Sequence, residues 1–258
     1  MLTAETVHAE GARYTASIVC APGLWATAAV WRGVAGFLGH RGWECHLLDA
    51  CGMPGGIGAR ARAVADYLGA LPAPAILLAH DAGAAVALAT AERAPVAALV
   101  LLAPLLPGTR AARRLAFAPR RLLPLVVGGM VPAPAENPSW LDAPDPVRGS
   151  VLRGLRADDA GSVRDVLWGR VAARPSAAVP TLVVAGSHDR LVPADATEPL
   201  ARAIGAERRA LEGGHWLLAG PGWQDIIAVV HRWLVQRLGA PLLELYPEAM
   251  AEREDGEG

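Results

Sequence analysis

This chain contains no lysine; its 24 basic residues are all arginine. The glycine-rich run Gly52-Met53-Pro54-Gly55-Gly56-Ile57-Gly58 therefore lacks the Gly-Lys-Ser/Thr ending of a phosphate loop and reads as a turn. Excess charge is missing as well. The formal net charge of −1 leaves no electrostatic footprint for nucleic acid. No uninterrupted apolar run approaches the ~18 residues of a membrane span. Met1 to Ala12 carries charged residues where a signal peptide would be apolar, so a cytoplasmic protein without a membrane partner is expected. Cysteine is scarce: Cys20, Cys45 and Cys51 are an odd number at spacings that suit no metal, and reduced thiols are expected. Only three tyrosines occur, Tyr14, Tyr67 and Tyr246.

What is present alternates. Ser17–Cys20, Glu44–Leu48, Ile76–Ala79, Leu99–Leu102, Thr181–Ala185 and Arg208–Leu211 read as short buried strands. Between and after them, helical patterns run over Ala28–His40, Ala59–Leu71, Ala84–Arg93, Ala194–Ile204 and Trp223–Leu238. This order predicts an α/β fold, with a mostly parallel sheet, helices on both faces and ligands at the carboxyl ends of the strands. Thr6–Ala9 and Arg13–Ser17 are expected to pair as an opening hairpin. The alternation breaks from Leu106 to Val179, a stretch rich in Arg and Pro and edged by Pro104, Pro107, Pro175 and Pro180. A structureless loop that long is implausible, so residues 107–178 are expected to form an inserted helical lid on a core of 1–106 and 179–240. Helical content there is expected at Arg110–Arg114, Leu122–Val127, Val147–Leu155 and Ser162–Val171. Residues 241–258, acidic at their end, are expected to be disordered.

The segment Ile76-Leu77-Leu78-Ala79-His80-Asp81-Ala82-Gly83-Ala84 has the outline of a strand-to-helix nucleophile elbow with aspartate at its centre. Downstream, the strand at Thr181–Ala185 ends in Gly186-Ser187-His188-Asp189, which brings a carboxylate to the same sheet edge. The next strand ends in Glu212-Gly213-Gly214-His215-Trp216, where paired glycines free the backbone to swing His215 over that edge. Nucleophile, acid, histidine is thus the chain order.

In these residues the chain resembles the α/β-hydrolase superfamily over 17–102 and 181–238, with no match in the lid. The resemblance implies the α/β-hydrolase fold and a triad of Asp81, Asp189 and His215. The segment Ala21-Pro22-Gly23-Leu24-Trp25 is similar to the family's His-Gly-x oxyanion segment, with proline in place of histidine. The N–H groups of Leu24 and Ala82 are then the expected oxyanion hole. The loop Asp49 to Gly55 resembles the family's glycine turn. His80-Asp81 resembles the elbows of haloalkane dehalogenases and epoxide hydrolases. Their usual tryptophan after the aspartate is replaced by Ala82, and the lid has no tyrosine to protonate an epoxide oxygen.

An aspartate at the elbow changes the chemistry. With an ordinary pKa of ~3.9 it is ionised without help from a base. Attack on an ordinary ester would form a high-energy anhydride. Attack on a saturated carbon, in an epoxide or a carbon–halogen bond, forms an alkyl ester that His215 can hydrolyse through water, with Asp189 orienting the imidazole. The expected activity is hydrolysis of a small-to-medium apolar molecule without metal or organic cofactor. The alternatives are a lyase or cyclase in which Asp81 and His215 move a proton on an apolar, polyketide-like ligand, an esterase-like member, or a non-catalytic binding member. A complete acid–histidine set argues against the last.

Around these residues, Trp25, His80, Trp140, Trp168, His188 and Trp216 are candidate pocket walls, and Trp25, Trp140, Trp168 and His188 are the candidate donors to a leaving group. Leu122, Leu123, Leu125, Val126, Val127 and Met130 give the lid an apolar surface suited to such a ligand. His80 is read first as structural, His188 as ambiguous. Asp195, which begins a helix, is the lesser rival of Asp189. No motif in the chain specifies an oligomeric state.

Overall fold

A computed structural model describes residues 1–115, 119–169 and 179–243. Nine strands and nine helices are assigned among them: β1 (Thr3–Val7), β2 (Ile18–Cys20), α1 (Arg32–Gly39), β3 (Cys45–Asp49), α2 (Gly56–Gly69), β4 (Ala75–His80), α3 (Gly83–Ala91), β5 (Val96–Leu102), α4 (Arg110–Arg114), α5 (Pro119–Val127), β6 (Met130–Val131), α6 (Asp145–Arg153), β7 (Asp158–Asp159), α7 (Ala160–Trp168), β8 (Thr181–Gly186), α8 (Glu198–Ala203), β9 (Glu207–Leu211) and α9 (Trp223–Leu243). Seven strands form one sheet in the order β1-β3-β2-β4-β5-β8-β9. All neighbours are parallel except β1, which closes one edge antiparallel to β3.

The six parallel strands are those expected, displaced by one to three residues at their ends. The central ones are apolar without alternation. Every residue of β4 and β8 is buried, as a strand covered by helices on both faces requires. The opening hairpin is not formed. β1 pairs with β3 instead, and the chain after it follows α1, through Glu10 N–H to Gly39 O at 3.0 Å and Arg13 N–H to Gly42 O at 3.0 Å. Pairing with the open edge of β3 satisfies a buried strand's ladder, which a hairpin of two short polar segments would not do.

Helix α3 directly follows the elbow and is made almost wholly of small residues. It is buried all round from Gly83 to Thr90. At Gly83 a β-carbon would lie 3.3 Å from Ala21 O and from Gly23 N and Cα. A side chain there would have to push the loop after β2 back by a few tenths of an ångström, so glycine suits the close approach.

Between β5 and β8 the inserted segment supplies α4 to α7 and a small antiparallel ladder of β6 with β7. The ladder escaped the sequence reading because two-residue strands have no periodicity. The expected helix Ser162–Val171 ends at Trp168, and its last residues, like Pro175, lie outside the described ones. At the C-terminus α9 continues to Leu243, three residues into the segment expected to be disordered; 244–258 lie outside the described residues.

Candidate active site

Asp81 stands at φ +53°, a left-handed conformation that costs a non-glycine residue roughly 1–2 kcal/mol. Three backbone hydrogen bonds of 3.1 Å hold it there: Asp81 N–H to Leu102 O, and Leu105 N–H and Ala84 N–H to Asp81 O. The turn aims the carboxylate across the carboxyl ends of the strands. There His215 Nε2 lies 3.3 Å from Asp81 Oδ1. On the far side of the ring, His215 Nδ1 donates to Asp189 Oδ2 at 2.9 Å. Asp189 is anchored in turn by the Leu191 and Val192 N–H groups, each 2.8 Å from Oδ1. All three side chains are buried. Asp195 lies outside this set, in the first turn of a short 3-10 helix over Ala194–Thr197.

The electrostatics follow from that line of charges. Burial alone would lower the His215 pKa. The two carboxylates, Asp189 foremost, outweigh it and raise the pKa to about 10. For Asp81, burial pushes upward and is outweighed chiefly by the hydrogen bond and charge of His215, with the Trp140 N–H adding to them, so its pKa is lowered. These opposite shifts favour an imidazolium beside an ionised Asp81 at rest. His80 is held neutral, its pKa lowered to about 4 by burial and then by the charge of His215. Its Nε2 donates to His215 O at 2.8 Å, which makes it a strut under the histidine loop.

The raised histidine pKa has a consequence for stability. The unfolded imidazole titrates near ~6.5. The folded one holds its proton to about pH 10. The stabilisation is complete below pH ~6.5 and is lost as pH rises toward the folded value. Between pH 6.5 and 8.5 the loss attributable to His215 is about 2 kcal/mol. Above that window the thiols of buried Cys20 and Cys45 and of partly buried Cys51, whose pKa values are raised chiefly by desolvation, add a slope of the same sign. Urea unfolding across pH 6.5–8.5 is expected to show a fall in wild type that is absent in His215→Gln. Parallel profiles would mean that the imidazole is neutral at rest.

Three tryptophans close the space above Asp81. Trp140, from the inserted segment, donates Nε1–H to Asp81 Oδ2 at 3.2 Å. It packs edge-to-face on Trp25 and Trp216, at centroid distances of 5.8 and 5.4 Å. Trp25 sits at φ +59° and spends its indole N–H on Val131 O at 3.0 Å. The Trp216 indole N–H is buried without a partner among the described residues. The cavity left beside Gly23, Leu24, His80, Asp81 and Trp216 measures about 10 Å³, the room of one water. Leu24 and Ala82 are both buried, and neither backbone N–H has an acceptor among the described residues.

Two candidate wall residues fall elsewhere. Trp168 ends α7 with 55% of its surface exposed. His188 is exposed in a cleft with Leu211, Glu212, Pro221 and Ile226, because its backbone N–H to Gly213 O turns the residue before Asp189 outward. Neither can serve a leaving group at Asp81. With Trp25 committed to Val131, Trp140 is the indole that donates to the carboxylate, and Trp216 lines the same small cavity as Asp81. The apolar residues expected to line the pocket also point away from it. Leu122, Leu123, Val126, Val127 and Met130 are exposed, and only Leu125 is buried.

Two acidic residues of the inserted segment matter and were missed. The Asp142 carboxylate accepts from the His215 and Trp216 N–H groups. A β-carbon on Gly214 would collide with it, which explains the second of the paired glycines. Asp158 and Arg60, both fully buried, pair with each other. Asp158 Oδ2 accepts the Trp25 N–H at 2.8 Å, and Arg60 Nη1 donates to Gly23 O at 2.9 Å. Nothing local marks the two aspartates. Arg60 did carry a signal, because it is a charged residue on the face of α2 that Ile57, Ala61, Val64 and Leu68 bury.

A family model described as "Alpha/beta hydrolase family" matches residues 18–225. No curated protein sequence matches the chain. Among solved structures, a thermophilic esterase from Thermogutta terrifontis is similar, with a TM-score of 0.66, 20% identity and 92% of this chain covered against 93% of that one. The Paleococcus ferrophilus monoacylglycerol lipase has a TM-score of 0.68 at 16% identity, with 92% and 99% covered. MenH from S. aureus has a TM-score of 0.69 at 16% identity, with 91% and 98% covered. At these identities the structural likeness speaks for the fold alone. It agrees with the family match, which spans most of the sequence, and the chain therefore belongs to the alpha/beta hydrolase family and to that family's class of hydrolases.

Proposed function

We propose that the protein hydrolyses an epoxide or carbon–halide type of apolar small molecule through an alkyl ester on Asp81. Residues 107–178 act as the lid of this site and 1–106 with 179–240 as its core. The observation that carries the proposal is a buried aspartate side chain at the elbow, 3.3 Å from the His215 ring, in surroundings that lower the pKa of Asp81 and raise that of His215. An Asp81 oxygen forms a bond to saturated carbon while the carbon–oxygen or carbon–halogen bond breaks. The ester carries no charge, so His215 loses one of the two carboxylates that raise its pKa. A neutral His215 then takes a proton from water, and the hydroxide adds to the ester carbonyl. The N–H groups of Leu24 and Ala82 receive the developing oxyanion. Collapse releases the alcohol and restores Asp81 and the imidazolium.

The resting charge state favours the epoxide. Ring opening creates an alkoxide that needs a proton, and the His215 imidazolium has one to give. Giving it leaves the neutral base that the second step requires, so protons balance within the site. A halide needs no proton and would leave His215 to shed its own to solvent. Ordinary esters fit less well, because carboxylate attack on them yields an anhydride. The expectation that Trp168 and His188 assist is withdrawn in favour of Trp140 and Trp216. Substrate entry displaces Trp140 from Asp81, since one water's volume admits nothing larger.

A single turnover with excess enzyme in heavy-oxygen water tests the ester. The Asp81 peptide is expected to gain one heavy oxygen while the first product carries none from solvent. Label in the first product and none in Asp81 would mean direct attack by water. Turnover with no label anywhere would point to the lyase or cyclase reading.

A further inference from the structure

Residues 107–135 contain five arginines, Arg110, Arg113, Arg114, Arg120 and Arg121, and no acidic residue, in a chain whose net charge is −1. The same stretch carries the most exposed apolar face among the described residues. On α5, Leu122, Leu123, Val126 and Val127 are 51%, 67%, 78% and 70% exposed, and Met130 just beyond is 50% exposed. At ~100° per residue the four helix positions share an arc of roughly 140°. Leu125 and Arg121 occupy the opposite side and are buried, and Arg121 is pinned by Glu136. The helix thus presents its apolar arc outward with its core side satisfied. Trp168 is exposed at the end of α7, the helix against which both α4 and α5 pack. Arg110, Arg113 and Arg114 are exposed on α4. Arg110 and Arg114 form no ion pair among the described residues, although Asp195 lines the same cleft.

We infer that this face, centred on α5 with Met130 and Trp168, docks the protein on an anionic lipid surface. Large exposed apolar side chains mark interaction sites, and an apolar helix face bordered by arginine matches the boundary between acyl chains and anionic headgroups. Charge decides between occupants. A second copy meeting this face symmetrically would bring together two clusters of five arginines, each offset by Glu136, which pairs with Arg120 and Arg121, and that is repulsive. A nucleic acid would take the arginines and leave five large apolar side chains in water. The docking is peripheral, because no described helix is long and apolar enough to cross a membrane. It replaces the sequence-based expectation of no membrane partner and is independent of the chemistry at Asp81.

Co-sedimentation with vesicles tests it, comparing phosphatidylcholine containing one third phosphatidylglycerol with phosphatidylcholine alone at low and high salt. Wild type is expected to pellet with the anionic vesicles and to bind roughly tenfold or more weakly when the charge or the low salt is removed. Val126→Glu with Val127→Glu changes only exposed positions and is expected to abolish binding with an unaltered melting temperature. Arg110→Gln with Arg114→Gln keeps the apolar face and is expected to weaken binding about tenfold. Wild type that stays in solution, equal binding to neutral vesicles, or full binding by the double-glutamate variant would overturn the inference. So would a wild-type dimer that the double-glutamate variant converts to monomer.

Discussion

His215→Gln is expected to take up one equivalent of substrate and stop. Glutamine keeps a hydrogen-bond donor toward Asp189 but cannot accept the proton of an attacking water. Ester hydrolysis should fall by about 10²–10⁴-fold, the usual contribution of a general base. Alkylation of Asp81 needs no base, because the carboxylate is ionised at rest. The intermediate therefore accumulates, and intact-mass spectrometry should show one adduct on the peptide containing Asp81. Two probes of equal chain length, 1,2-epoxyhexane and 1-bromohexane, separate the roles of the imidazolium. If it donates the proton in ring opening, adduct formation in the variant slows for the epoxide and not for the bromide. Equal rates would place the proton donor elsewhere, with the Trp140 N–H, which already bonds Asp81, the first candidate. A variant that turns over at the wild-type rate, or turns over with no adduct, would exclude the aspartyl ester.

The same residues illustrate what the sequence discloses. The places of the parallel strands along the chain were legible because buried strands are continuous apolar runs, and β4, β5 and β8 are of that kind. The elbow was legible because small residues must follow it, as the tight contact at Gly83 demonstrates. Asp189 and His215 were read from their place at strand ends, and in the structure the His215 ring lies between the Asp81 and Asp189 carboxyl groups. What was illegible depends on direction rather than identity. The hydrophobicity of Leu122 to Val127 was plain, but which way the helix turns that face is set by Arg121 and Leu125 packing inward. His188 and Trp168 carried suitable chemistry, yet one backbone hydrogen bond and one helix terminus send them outward. Asp142 and Asp158 act on loops far away in sequence, and a one-dimensional reading holds no record of that distance.

Loss of the Asp158 carboxylate is expected to have the largest effect on stability of any single truncation near the site. Arg60 and Asp158 are both inaccessible to water. Asp158→Ala would leave the guanidinium buried without a counter-charge, at a cost of about 3–5 kcal/mol against a total stability of roughly 5–15 kcal/mol. The carboxylate does more than neutralise it. Oδ1 also accepts the Gly52 N–H at 2.7 Å and the Asp159 N–H at 2.8 Å, and Oδ2 accepts the Trp25 N–H. One side chain therefore ties together the loop after β2, the loop after β3 and the inserted segment. Replacing both partners, as Arg60→Met with Asp158→Leu, removes the stranded charge, which in many proteins restores stability. Here it would still leave three backbone donors without acceptors, at about 1–3 kcal/mol each, so recovery should be partial. Asp158→Asn, which keeps one acceptor oxygen, should fall between wild type and Asp158→Ala. Urea unfolding of the four proteins at pH 7 measures this order. The loop that loosens carries Leu24 beside Trp25, so any Asp158→Ala protein that folds should also form the His215→Gln adduct yet hydrolyse esters more slowly when His215 is intact. A stability loss below about 1 kcal/mol for Asp158→Ala would show that the three segments hold together without this pair, and that Trp25 keeps its left-handed backbone by packing alone.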